Sequence, residues 1–96
     1  MPRFAIRYSD RYLHDFLRVD AFDRARIRAA VLLLEEQADV ATRNRRPLKR
    51  PVSWCPEATW QLRAGDYRVL YRIGGRDVLA LRVSLKGSRT TEEMGS

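Results

Sequence analysis

The sequence contains very few of the residues that build disulfides and metal centres. It has one cysteine, Cys55, and one histidine, His14, in 96 residues. One thiol cannot form an intramolecular disulfide, and one Cys with one His cannot supply the ligands of a zinc site. We therefore expect a protein of the reducing cytoplasm whose functional site uses neither a metal nor another cofactor.

Long apolar runs are also missing. The longest run, residues 29–34, is far shorter than the roughly 20 residues that span a bilayer. The N-terminus lacks the uninterrupted apolar core of a signal peptide. We expect no membrane partner and no export. A chain of this length can form one core, so we predict one domain over residues 1–96.

The chain is rich in positive charge. Lys and Arg total 19 against 12 Asp and Glu, a net charge of +7, while 45% of the residues are hydrophobic. This apolar content predicts a folded chain rather than a disordered one. The excess of cations favours polyanionic partners such as RNA, DNA or an acidic protein segment.

The first half predicts one strand and two helices. Basic and apolar residues alternate over residues 3–8, which is typical of a half-buried strand. Ser9 or Asp10 can cap a short helix, and apolar residues then follow at helical spacing up to Leu17. Asp20 can cap a longer helix over residues 21–39, whose apolar residues recur at i, i+3 and i+4.

The second half predicts a loop and then a sheet. Pro47, Pro51 and Pro56 interrupt residues 43–56, which we interpret as a basic loop. Three strands follow at residues 59–63, 67–73 and 78–86, joined by glycine turns. The expected fold is α+β: one N-terminal strand, two helices and a three-stranded antiparallel meander.

Alternation along these strands assigns their faces. The side predicted to meet the helices carries Trp60, Leu62, Val69, Tyr71, Ile73, Leu79, Leu81, Val83 and Leu85. The opposite side is predicted to be open and carries Thr59, Gln61, Arg63, Arg68, Arg72, Arg82, Ser84 and Lys86.

The segment WQLRAGDYRVLYRI at residues 60–73, with VLALRV at residues 78–83, closely resembles the RelE/ParE toxin superfamily. Residues 44–48 are similar to the loop that precedes the sheet in many members. The resemblance implies a toxin held in check by a cognate antitoxin. RelE-like members cut mRNA on the ribosome, whereas ParE-like members poison DNA gyrase.

The resemblance also implies catalytic residues. Arg68 matches the arginine that stabilises the transition state in RelE-like enzymes, and Arg63 lies across the turn from it. Lys86 falls where these enzymes carry a basic residue proposed as general acid. The two lysines of RelE correspond here to Thr59 and Gln61, so the presumed general base is missing.

Other residues complete the prediction. The C-terminal tyrosine of RelE falls near Glu92, and Glu57 and Glu92 are the carboxylates that we nominate as replacement bases. His14 and Cys55 are assigned no chemistry. A further set of basic residues is predicted to bind nucleic-acid phosphates: Arg45, Arg46, Lys49, Arg50, Arg72, Arg82 and Arg89.

Three functions remain open at this point. The first is a ribosome-dependent mRNA endonuclease, with the ribosome and mRNA as partners. The second is a poison of DNA gyrase, and the third is a basic binding module without toxicity. In each case we expect an acidic antitoxin segment to cover the cationic face of the sheet.

Overall fold

The fold is a five-stranded mixed sheet with helices packed on one face. The structure, a computed structural model, is described for residues 2–85. Its strands are β1 (Ala5–Tyr8), β2 (Arg45–Pro47), β3 (Trp60–Ala64), β4 (Tyr67–Gly74) and β5 (Asp77–Leu85). Its helices are α1 (Asp10–Leu17), α2 (Ala21–Leu32) and α3 (Leu34–Gln37). The sheet order is β1-β5-β4-β3-β2, and β1 pairs in parallel with β5. The predicted α+β class is confirmed.

Side-chain caps begin the first two helices. The Ser9 hydroxyl accepts a hydrogen bond from the backbone N–H of Tyr12 at 3.0 Å, and the Asp20 carboxylate accepts one from Asp23 at 2.9 Å. Each cap satisfies a backbone donor that has no partner inside the helix. The two predicted helix starts are therefore confirmed.

The prediction of one helix over residues 21–39 is wrong in its continuity. The backbone N–H of Leu33 bonds to the carbonyl of Ala30, three residues back, and this tighter turn separates α2 from α3. The apolar stripe survives the break, because Ile27, Val31 and Leu34 are all buried.

The segment predicted as a loop contains an edge strand. In β2, Arg45 and Pro47 pair with Leu62 and Trp60 of β3. A three-residue strand with proline at its end carries little periodic signal, and proline is tolerated at a sheet edge. The prediction of an irregular segment over residues 43–56 is therefore corrected at β2.

Glycine supplies the two tight turns of the meander. Gly65, between β3 and β4, has φ of 61°, and Gly75, between β4 and β5, has φ of 60°. Residues with a Cβ atom rarely adopt this conformation. The predicted turns are confirmed.

A β-bulge in β5 changes which side chains meet the helices. Leu70 pairs with Arg82 but Tyr71 pairs with Ala80, so Leu81 is an extra residue in β5. Before the bulge, Val78 and Ala80 face the helices, and Val83 does so after it. The prediction that Leu79 and Leu81 face the helices is wrong, since strict alternation cannot anticipate an inserted residue.

The sheet face opposite the helices, here called the far face, carries a second apolar cluster. Leu79 and Leu81 pack there with Leu70 and with loop residues between β2 and β3. The buried loop members are Val52, Cys55 and Ala58. This loop covers part of the face that was predicted to be open.

No helix within residues 2–85 is long and apolar enough to cross a membrane.

Candidate functional site

Two arginines face each other on the far face. In the antiparallel pairing of β3 and β4, Arg63 is directly opposite Arg68, and Arg68 is opposite Ser84 of β5. Directly paired residues on one face have Cβ atoms about 5 Å apart. The turn at Gly65 thus brings two predicted site residues into one row, called here the arginine row (Arg63, Arg68 and Ser84).

Arg68 is held differently from Arg63. Arg63 is exposed, whereas Arg68 is half-buried and its Nε atom is buried without a hydrogen-bond partner among the described residues. Neither guanidinium forms an ion pair within residues 2–85. A buried donor without a partner is costly, and a shift of the side chain toward solvent would let this atom donate to a bound anion.

A second row lies next to the first on the same face. Arg46 pairs with Gln61, Gln61 with Leu70, and Leu70 with Arg82. Arg46 is exposed, Gln61 is 5% exposed and its Oε1 atom has no partner among the described residues. Arg46 therefore adds a third accessible cation beside the arginine row.

Arg82 has a structural role in this arrangement. Its Nε donates to the carboxylate of Asp15 at 2.7 Å, and its guanidinium lies 5.2 Å from the centre of the Trp54 ring. The hydrogen bond to Asp15 raises the pKa of Arg82. The same carboxylate accepts from the backbone N–H of Val83 at 3.0 Å. We predicted Arg82 as a phosphate ligand, but the structure places it in an internal ion pair.

Arg45 is likewise not positioned as predicted. It is 3% exposed, and its Nε donates to the carbonyl of Val40 at 2.8 Å. A guanidinium nitrogen also donates to Gln37 at 2.8 Å. These contacts join β2 to the end of α3 and to the residues that follow it, so Arg45 is not accessible to a phosphate. A buried and an exposed arginine are adjacent because neighbouring strand residues point to opposite faces.

The other predicted basic residues are spread out. Lys49 and Arg50 are exposed and line a groove with Arg46 and Gln61. Arg72 is exposed on β4, four residues beyond Arg68, which is about 13 Å along a strand. Lys86 and Arg89 lie outside the described residues, as does Glu92.

The two rows can bind phosphate but contain no side chain that exchanges protons near neutral pH. Arginine stabilises developing negative charge and does not act as a base. Glu57 lines a different pocket, with Cys55 and Arg82, and His14 is exposed on α1. Burial raises the pKa of the Cys55 thiol, which disfavours the nucleophilic thiolate. No cluster of three metal-ligating side chains occurs within residues 2–85.

Sequence reasoning identified the arginine row but did not identify Gln61 as buried or Arg46 as its strand partner. The alternation of β3 placed Gln61 on the correct face. Its burial depends on the loop after β2, which contributes no periodic pattern.

Comparison with known proteins identifies a family for this chain. A family profile described as "ParE toxin of type II toxin-antitoxin system, parDE" matches residues 6–88. A search of curated proteins finds no significant match.

Solved structures share the fold. The RelE–RelB complex of Pyrococcus horikoshii matches with a TM-score of 0.70 and 15% identity, over 88% of this chain and 97% of that chain. The RelB–RelE complex of Methanococcus jannaschii matches with a TM-score of 0.64 and 16% identity, over 84% and 91%. The toxin–antitoxin complex RelBE2 of Mycobacterium tuberculosis matches with a TM-score of 0.58 and 27% identity, over 90% and 100%.

Proposed function

This chain belongs to the ParE toxin family of type II toxin–antitoxin systems, and from the arginine row described above we propose that it inhibits translation by cutting mRNA on the ribosome. The observation that supports this proposal is the arginine row, in which Arg63 and Arg68 share an accessible surface and Arg68 keeps a buried donor without a partner among residues 2–85. We assign both guanidiniums to the phosphate at the cleaved bond.

Cleavage requires attack of a ribose 2′-oxygen on the adjacent phosphorus, with departure of the 5′-oxygen of the next nucleotide. The 2′-hydroxyl must lose its proton and the 5′-oxygen must gain one. Arg63 and Arg68 stabilise the additional negative charge on the pentacoordinate phosphorus. On the family resemblance, we propose that Lys86 donates the proton to the departing oxygen. The base that removes the proton from the 2′-hydroxyl is then a group outside the two rows.

The partner of this toxin is a cognate antitoxin, as the family description states for type II systems. The similar structures are toxin–antitoxin complexes with RelB proteins. We propose that an acidic antitoxin segment covers the arginine row, because the chain carries a net charge of +7 and these guanidiniums have no internal carboxylate partner among the described residues.

The test is toeprinting on ribosomes translating a defined mRNA. The toxin should produce a new 3′ end in the A-site codon, and Arg68→Ala should lower the cleavage rate by about 10²-fold or more, as for loss of a donor to a transition-state oxyanion. Arg76→Ala is the matched control, because Arg76 is an exposed arginine in the turn between β4 and β5. Intact mRNA in the presence of a toxin that still arrests growth would overturn the proposal.

The second candidate is a poison of DNA gyrase. It is favoured by the ParE family description and by the lack of a proton-transferring side chain in the two rows. Here the arginine row would hold DNA or an acidic gyrase surface without breaking a bond. Trapped DNA–gyrase cleavage complexes and an early arrest of replication, with mRNA intact, would favour this candidate over the endonuclease.

A further inference from the structure

A groove opens on the far face beside the arginine row. It has a volume of about 300 Å³ and lies between the start of the β2–β3 loop and strand β3. Residues 46–52 line it together with Gln61. This volume is at the lower end of the range of small-ligand pockets, roughly 300–1,000 Å³.

The floor of the groove carries an unsatisfied polar group. Gln61 is 5% exposed, and its Oε1 atom is buried with no hydrogen-bond partner among the described residues. Its strand neighbours in the same row, Arg46 and Leu70, do not supply one. Buried polar side-chain atoms in native proteins almost always have a partner, and a rotation of the Gln61 side chain toward the groove would let this oxygen accept from a donor group on a ligand.

The walls and the rim have different chemistry. Pro47, Leu48, Pro51 and Val52 give the groove apolar sides, while Lys49 is an exposed cation at its rim. Arg46, also exposed, lines the groove as well and pairs with Gln61 in the row next to the arginine row. Apolar sides suit the faces of a planar ring, a buried amide suits its polar edge, and the cations suit an attached phosphate.

We propose that this groove binds one nucleobase of the target strand and that Gln61 selects a base with an exocyclic amino group. The amide oxygen accepts from the amino group of adenine at C6 or of cytosine at C4. Uracil and thymine carry a carbonyl oxygen at this position, as guanine does, and the amino group of guanine is at C2 instead. This inference rests on the proposed function to the extent that the target is a nucleic acid. It adds base preference at a position next to the phosphate held by Arg63 and Arg68.

The experiment measures the binding of nucleotides to the full chain carrying Arg68→Ala, which removes the proposed cleavage activity. Titration of AMP, CMP and UMP, followed by backbone amide NMR, should show shifts in residues 46–52 and 61. We expect AMP and CMP to bind about tenfold more tightly than UMP, since one base-edge contact discriminates by about this factor. Equal dissociation constants for the three nucleotides would overturn the proposal.

Two further substitutions separate base selection from charge. Gln61→Leu, which is close in volume, should remove the preference for AMP and CMP over UMP. Lys49→Ala should weaken the binding of all three nucleotides similarly and leave the ratios of their dissociation constants unchanged, because a phosphate contact carries no base information. A Gln61→Leu protein that folds normally and keeps the preference would also contradict the assignment.

Oligonucleotides distinguish the two sources of the base. Tighter binding of a short RNA than of the DNA of the same sequence assigns the groove to an RNA strand, and the reverse assigns it to DNA. The toeprint of the unsubstituted toxin is a separate readout. Intact mRNA together with a retained nucleotide preference would overturn the endonuclease while supporting the groove.

Discussion

Arg63 and Arg68 are directly opposed on neighbouring antiparallel strands, so two like charges share one cross-strand site. Like charges in this position destabilise a sheet. We therefore expect Arg63→Thr to raise the free energy of unfolding by about 0.5 kcal/mol, since Thr also favours strands. The same variant should lose toxicity. Urea denaturation and growth arrest provide the two measurements, and a variant that is both less stable and fully toxic would contradict this view of the pair.

Adjacent arginines in β2 provide a matched test of burial. Arg45→Ala removes the hydrogen bonds to Val40 and Gln37 and should cost about 2 kcal/mol of stability. Arg46→Ala, at an exposed position, should change stability by less than about 0.5 kcal/mol.

The two β2 variants should also differ in nucleic-acid binding. A plot of the log of the binding constant against the log of the salt concentration has a negative slope. Arg46→Ala should make this slope less steep by about one unit, as for loss of one phosphate contact. Arg45→Ala should leave that slope unchanged in the folded protein. Binding to single-stranded RNA at three salt concentrations measures both slopes, and the opposite pattern would show that the roles of Arg45 and Arg46 are exchanged.

Asp15 stabilises β5 at Arg82 and Val83, beyond the residues of β5 that pair with β1. It accepts from Arg82 and from the backbone N–H of Val83, and the side chains of Asp15 and Arg82 are each 15% exposed. Asp15→Ala leaves three N–H donors, two of Arg82 and one of Val83, without their acceptor and should cost about 2–3 kcal/mol. The control is Asp77→Ala, whose ion pair with Arg7 is longer, at 3.5 Å, and exposed. That change should cost no more than about 1 kcal/mol. Equal losses of stability in the Asp15→Ala and Asp77→Ala variants, measured by thermal denaturation, would argue against a structural role for Asp15.

Cys55 should react slowly with alkylating reagents. The thiol is 3% exposed, and burial raises its pKa above the usual range. Since the thiolate is the reactive form, the rate with iodoacetamide should remain well below that of free cysteine at pH 8 and should rise only at higher pH. Unfolding in guanidinium should bring the rate to that of the free amino acid. Rapid labelling of the folded toxin would mean that Cys55 is accessible and activated.

Antitoxin capture should depend on the arginine row. Replacing Arg63 and Arg68 together by Glu should slow association with the antitoxin and weaken its dependence on salt, because steering by opposite charges is lost. Surface plasmon resonance at two ionic strengths tests this. Unchanged rates at both would place the antitoxin elsewhere, for example on the helices, where Leu13 and Leu17 are 46% and 71% exposed.

Much of the fold follows from local sequence signals. The caps at Ser9 and Asp20, the glycine turns and the alternation in β3 and β4 are each set by residues close together in the chain. Backbone conformation and hydrogen bonding at a helix start or a tight turn depend on neighbouring residues. The same signals place Arg63 and Arg68 in one row, since a two-residue turn fixes the register of its hairpin.

Tertiary structure decided the features that depend on contacts between distant segments. The pairing of β1 with β5, the bulge at Leu81 and the burial of Arg45 and Gln61 all depend on how separate segments pack together, and no local pattern marks them. An arginine in a basic loop has the same local pattern whether it meets a phosphate or the carbonyl of Val40. Which of these occurs depends on the free energy of packing the whole loop against the sheet. The sequence therefore determined the arginine row, and the tertiary structure decided which cations remain accessible beside it.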